Sequence, residues 1–165
     1  MDKEIHSFVR VSAVCEETFT YFFSMNLFSV FKGFWFMPNI KSTFFKNKTA
    51  KIGKESLIYF DDGSTAVSRL LVYIRQVSFL VQIDHFTSGT FMGLEAIRCH
   101  FCFSDSGPGM TQVRCQYQFK MHSRFWDLVF ELFFRKLMQK RLDSLLIQTA
   151  REVKEFAQWK MTLDI

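Results

Sequence analysis

From Thr111 to Met121 apolar and polar side chains alternate without a break. Val113, Cys115, Tyr117, Phe119 and Met121 fall on one side and Gln112, Arg114, Gln116, Gln118 and Lys120 on the other. A period of two specifies a strand with one dry and one wet face. Similar β-patterned runs cover Ile5 to Ala13, Ser56 to Phe60, Ala66 to Arg75, Val77 to Phe86 and Leu94 to Phe103. Turn chemistry separates the later ones: Asp61-Asp62-Gly63-Ser64, Thr87-Ser88-Gly89-Thr90 and Ser104-Asp105-Ser106-Gly107-Pro108-Gly109. Asp-Gly between two β-patterned runs is a hairpin signal. The pattern predicts an opening strand and then a run of successive antiparallel strands.

The period changes twice. After the first strand, Cys15-Glu16-Glu17 places acids in a first helical turn, where the helix dipole favours them. Thr18 to Met37 then reads as two short helices against a sheet. That stretch approaches membrane-spanning length, but Asn26 and Lys32 would sit inside the bilayer and Gly33 reads as a helix end. At the other end Ser123 is the expected N-cap of a helix running from Arg124 to about Ala157, a stretch without Pro or Gly. Roughly 30 residues reach about 45 Å, more than the roughly 31 Å breadth expected of a domain this size. The helix must therefore cross the whole domain, with a bend or a projecting end. Phe130, Phe134, Leu137, Met138, Leu142, Leu145, Leu146, Val153 and Phe156 form its apolar stripe, and Glu131 and Arg135 a supporting i, i+4 pair.

Composition narrows the reading. A chain of 165 residues with 48% apolar and 22% charged residues buries a real core, and two Pro and seven Gly leave no linker, so residues 1 to 165 are expected to form one domain. Twenty-two Phe are more than such a core ordinarily needs, and some of that surface is expected to line a cavity. Four Cys without a secretory leader point to free thiols in the cytoplasm. The net charge of +5 permits an anionic ligand, a membrane surface or nucleic acid and demands none of them.

Catalytic and metal chemistry find little support. Cys99-His100-Phe101-Cys102 matches C-x-x-C as a string, yet in a strand the two thiols face opposite ways. His6, His85, His100 and His122 lack metal-ligand spacing, and Asp84-His85 would point to opposite faces of a strand. No phosphate loop or nucleophile elbow is present. No catalytic residue, metal or cofactor is therefore assigned. The run Lys41, Lys46, Lys48, Lys51 and Lys54, with Arg135, Lys136, Lys140 and Arg141 of the helix, would suit anionic lipid headgroups at a membrane surface. Nucleic acid is not expected, because no binding motif accompanies the charge.

The order of elements, together with Ser12-Ala13-Val14-Cys15-Glu16-Glu17-Thr18-Phe19, the Asp62-Gly63-Ser64 hairpin, the glycine-rich turn before Met110-Thr111-Gln112-Val113 and the terminal helix, resembles the START-like, or Bet v 1-like, helix-grip superfamily. The likeness covers nearly the whole chain. Many relatives carry an acidic residue after the hairpin where this chain has Val67-Ser68-Arg69. The resemblance implies an α+β helix-grip fold: a curved antiparallel sheet of about seven strands around the long C-terminal helix, with two short helices after the first strand, enclosing an apolar cavity. Phe60, Ser68, Leu70, Val72, Phe101, Tyr117, Phe119, Phe130, Phe134 and Leu137 are the candidate lining residues, with Tyr117 the best polar handle and Ser68 the second. Val72 and Ile74 are read on the dry face with Leu70. The expected function is binding or transport of a hydrophobic or amphipathic small molecule: a lipid, isoprenoid, quinone or polyketide-like compound. A cyclase- or hydrolase-type enzyme using the same cavity, and an adaptor whose core is filled by its own Phe side chains, are the alternatives.

Overall fold

The computed structural model describes residues 2–25, 40–43, 51–91 and 93–163. The alternating runs become strands β1 (Asp2–Val11), β3 (Glu55–Phe60), β4 (Thr65–Ile74), β5 (Ser78–Asp84), β6 (Leu94–Asp105) and β7 (Thr111–Met121). A short β2 (Ile40–Thr43), which the polar, basic sequence there does not announce, completes the set. Helix α1 (Cys15–Ser24) carries Glu16 and Glu17 in its first turn. The second short helix expected before Met37 lies outside the described residues.

The described strands form one antiparallel sheet in the order β1-β7-β6-β5-β4-β3-β2, so the first strand closes against the last. Asp62-Gly63 makes the β3–β4 turn, with Gly63 at φ 81. Along β7 the buried residues are Thr111, Val113, Cys115, Tyr117 and Phe119, as the alternation requires. The half-barrel curls, and its concave face takes the C-terminal helix.

One bulge alters the face assignments. Leu70 pairs with Val81 but Val72 pairs with Leu80, so Leu71 is an extra residue in β4. An inserted residue reverses every side chain beyond it. Tyr73, paired with Phe79, therefore turns inward. Val72 and Ile74, expected on the dry face, lie on the outer one, and Ile74 is exposed.

The C-terminal helix runs 40 residues: α2 (Arg124–Val129), a π-turn (Phe130–Phe134) and α3 (Arg135–Leu163). Ser123 occupies the N-cap position with extended backbone, although its side chain makes no capping bond. Trp126, Phe130, Phe134 and Met138 recur every four residues, a longer repeat than the 3.6 of an α-helix. The wider π-turn absorbs the mismatch and keeps these side chains on one side. Further along, Leu142, Leu146, Val153 and Ala157 are buried. Against β1, Asp143 accepts a 2.5 Å hydrogen bond from Ser7 and Gln139 donates one of 2.7 Å to the His6 carbonyl. Against α1, the Tyr21 hydroxyl donates to Glu152 at 2.9 Å. The far end projects, leaving Trp159, Met161 and Leu163 exposed.

Candidate functional site

Inward positions of β5, β6 and β7 carry aromatic rings, and those rings form a continuous train. Phe19 of α1 meets Phe79 edge-on at 5.8 Å, and Phe79 stacks on Phe101 at 5.0 Å. Phe101 meets Tyr117 at 6.3 Å, Tyr117 meets Phe119 at 6.3 Å, and Phe119 meets Phe130 of the helix at 4.9 Å. A second group, Phe60, Phe86 and Phe91, closes the β3 end. Among the described residues Asp84 is the only charged side chain that is buried, and it points to the outer face. The buried inner polar groups are hydroxyls, including those of Ser68, Thr149 and Tyr117, and the thiols of Cys99 and Cys115.

These polar groups stay neutral. Tyr117 and Cys99 are cross-strand partners, and the tyrosine hydroxyl donates to the thiol. Burial pushes both pKa values up, and Tyr117 rises further beside Cys99 and Cys115. Cys115 is likewise pushed well above an ordinary thiol, first by burial. All four cysteines are free. Cys99 points inward while Cys102 lies 3.4 Å from His100 Nε2, so the C-x-x-C string is split between faces as strand geometry requires.

Of the expected lining residues, Phe60, Ser68, Phe101, Tyr117, Phe119 and Phe130 are buried on the inner side, and Leu70 and Phe134 are half-buried against the same core. Val72 is carried outward by the Leu71 bulge. Leu137 is 40% exposed, because the inner positions at this level are Phe134 and Met138. Leu145, part of the helix's apolar stripe, joins the inner apolar set as its spacing predicts, whereas Tyr73 joins it with no sequence signal short of the bulge itself.

The outer face holds a polar groove of about 400 Å³ lined by residues that include Gln82, Asp84, His85, Arg98, Glu95 and Lys120. Asp84 and His85 do not point apart: His85 takes φ 54, and its Nδ1 lies 2.5 Å from Asp84 Oδ1. Arg69 and Gln82 donate to the other carboxylate oxygen at 3.0 and 2.7 Å. Lys41, Lys51 and Lys54 are exposed, while Lys46 and Lys48 lie outside the described residues. Among the described residues no cluster has metal-ligand geometry and no helix is long and apolar enough to cross a membrane.

Neither a protein-family model nor a curated protein sequence matches this chain. Solved structures do match. Norcoclaurine synthase from Thalictrum flavum, in complex with dopamine and hydroxybenzaldehyde, is similar over 90% of this chain and 88% of its own, with TM-score 0.56 at 12% identity. The chain has the Bet v 1/START-like helix-grip fold. A START superfamily protein from Mycobacterium smegmatis is similar over 94% of this chain and 97% of its own, with TM-score 0.57 at 9% identity. The allergen Ara h 8.0201 is similar over 90% and 99%, with TM-score 0.55 at 9% identity. The curled seven-stranded antiparallel sheet and the long C-terminal helix match that helix-grip fold.

Proposed function

We propose that this chain is one START-like domain that binds a hydrophobic or amphipathic small molecule, of the lipid, isoprenoid, quinone or polyketide-like class, in the interior between the sheet and the C-terminal helix. The observation that carries this reading is the ring-lined inner face, where among the described residues the buried polar groups are hydroxyls and thiols and no buried charge points inward. Such a lining takes up apolar surface and offers a few neutral hydrogen bonds for orientation. About 300 Å² of ligand surface removed from water contributes roughly 7 to 8 kcal/mol before the cost of association. The residues proposed to line the ligand are Phe101, Tyr117, Phe119 and Phe130, which contribute rings to the inner face, with Phe60, Ser68, Leu70, Phe134 and, at the exposed margin, Leu137. The complex of the norcoclaurine synthase neighbour with dopamine and hydroxybenzaldehyde supports small-molecule binding by a protein of this fold. The working compartment is the cytoplasm, where the free thiols persist. Exposed Lys41, Lys51 and Lys54, with Lys46 and Lys48 of the same run, offer a peripheral contact with anionic lipid.

Titration with a fluorescent fatty acid tests the reading. Saturable binding that an unlabelled apolar compound displaces is the expected result. A linear, non-displaceable signal contradicts it and favours an interior filled by the protein's own Phe side chains.

A further inference from the structure

The helix that closes the interior carries a second apolar surface on its back. Phe125, Leu128, Leu132, Phe133 and Leu137 are all between 40 and 70% exposed. Spacings of three and four residues set Phe125, Leu128 and Leu132 along one side and Phe133 and Leu137 beside them. Five large side chains in little more than three turns form a contiguous patch, which soluble surfaces ordinarily avoid. Phe130 and Phe134 of the same turns point the other way, into the core.

The exposed charges that flank the patch are basic. Arg124 stands at its start and Lys136 and Lys140 at its end; all three are exposed and have no acidic partner among the described residues. Two acids lie in the same stretch: Asp127 is half-buried in α2, and Glu131 is held by Lys3 at 3.1 Å and by Arg135 at 2.8 Å, so its charge is answered locally. The surface is thus a convex ridge of Phe and Leu framed by long cationic side chains. A second copy of the chain would bring these cations against each other, whereas an anionic bilayer meets both features. Apolar side chains enter the acyl boundary while Arg and Lys reach back to the headgroups.

We propose that the exposed face of α2, the π-turn and the start of α3 docks on the surface of a bilayer containing anionic lipid, with Phe125, Leu128, Leu132 and Phe133 inserted and Arg124, Lys136 and Lys140 at the headgroups. The docking stands independently of what the interior binds.

Co-sedimentation with vesicles tests it. The protein is expected to pellet with phosphatidylcholine vesicles containing about one third phosphatidylserine, weakly with phosphatidylcholine alone, and less as salt rises. Leu132→Gln with Phe133→Gln, and separately Lys136→Gln with Lys140→Gln, are each expected to weaken binding about tenfold or more. All four side chains are exposed, so melting curves should stay unchanged, and fatty-acid titration of the same variants separates failure of docking from failure of the interior site. Three outcomes overturn the proposal. The wild-type protein fails to pellet with the anionic vesicles; the helix variants bind like wild type while Lys51→Gln with Lys54→Gln abolishes binding; or light scattering shows a dimer that Phe133→Gln dissociates, which assigns the patch to a second copy.

Discussion

His85 folds its ring back onto Asp84, the residue before it, with Nδ1 2.5 Å from Oδ1. Only the left-handed backbone at His85, φ 54, permits this, because extended neighbours would point to opposite faces. The pair, with Arg69 and Gln82, ties the end of β5 to β4 across the outer groove.

Burial raises the Asp84 carboxyl, yet hydrogen bonds from His85 and Gln82 and the charge of Arg69 outweigh it, and the net shift is downward. A carboxylate depressed on folding stabilises fully above its unfolded value of about 3.9, and that contribution is lost as pH falls through the lower folded value. Asp84→Asn is expected to cost about 1 to 3 kcal/mol near neutral pH. It should also flatten the acid limb of stability below about pH 4, measured by urea melts across pH.

Gly93 meets the face of Trp126. A Cβ there would collide with the indole ring, and φ 83 adds strain to any larger residue. Gly93→Ala is expected to destabilise by about 2 to 4 kcal/mol and to shift the tryptophan emission as Trp126 is displaced from the loop.

The four thiols should separate by face. Cys99 and Cys115 are buried with raised pKa values; Cys15 and Cys102 are only half-buried, and their pKa values are also raised, chiefly by desolvation. Native labelling with iodoacetamide, read by mass spectrometry, is expected at Cys15 and Cys102 and to reach Cys99 and Cys115 only after unfolding. Prompt labelling of Cys99 would contradict a closed β6–β7 interior.

Tyr117→Phe removes the hydroxyl that donates to Cys99 and should cost about 1 kcal/mol in stability. Binding of a ligand with a polar head is expected to weaken while a plain hydrocarbon binds as before. Unchanged affinity for both would remove Tyr117 from the site. Phe119→Ala, by contrast, should cost about 3 to 5 kcal/mol and loosen the contact to Phe130.

The sequence legibly encodes what repeats. The β7 alternation, the Asp62-Gly63 turn and the Glu131–Arg135 pair, 2.8 Å in the structure, all rest on local periodicity or spacing. What it hides are single-residue departures from the period. One extra residue at Leu71 sends Val72 outward and Tyr73 inward, and one left-handed residue at His85 makes a dyad that strict alternation forbids. The π-turn is of the same kind: the four-residue recurrence of Trp126, Phe130, Phe134 and Met138 is visible in the sequence, but which turn widens to accommodate it depends on packing against Gly93 and β7. β2 is short and polar, so its strand character comes from pairing with β3.

Extraction of the natively purified protein with organic solvent, followed by mass spectrometry of what is released, bears most directly on the interior as a ligand site. A near-stoichiometric lipid, isoprenoid, quinone or polyketide-like compound is the expected result, and its mass would name the class. An empty extract, from protein that also shows no saturable fatty-acid displacement, would contradict a ligand-binding interior and leave the ring train from Phe19 to Phe130 as packing alone.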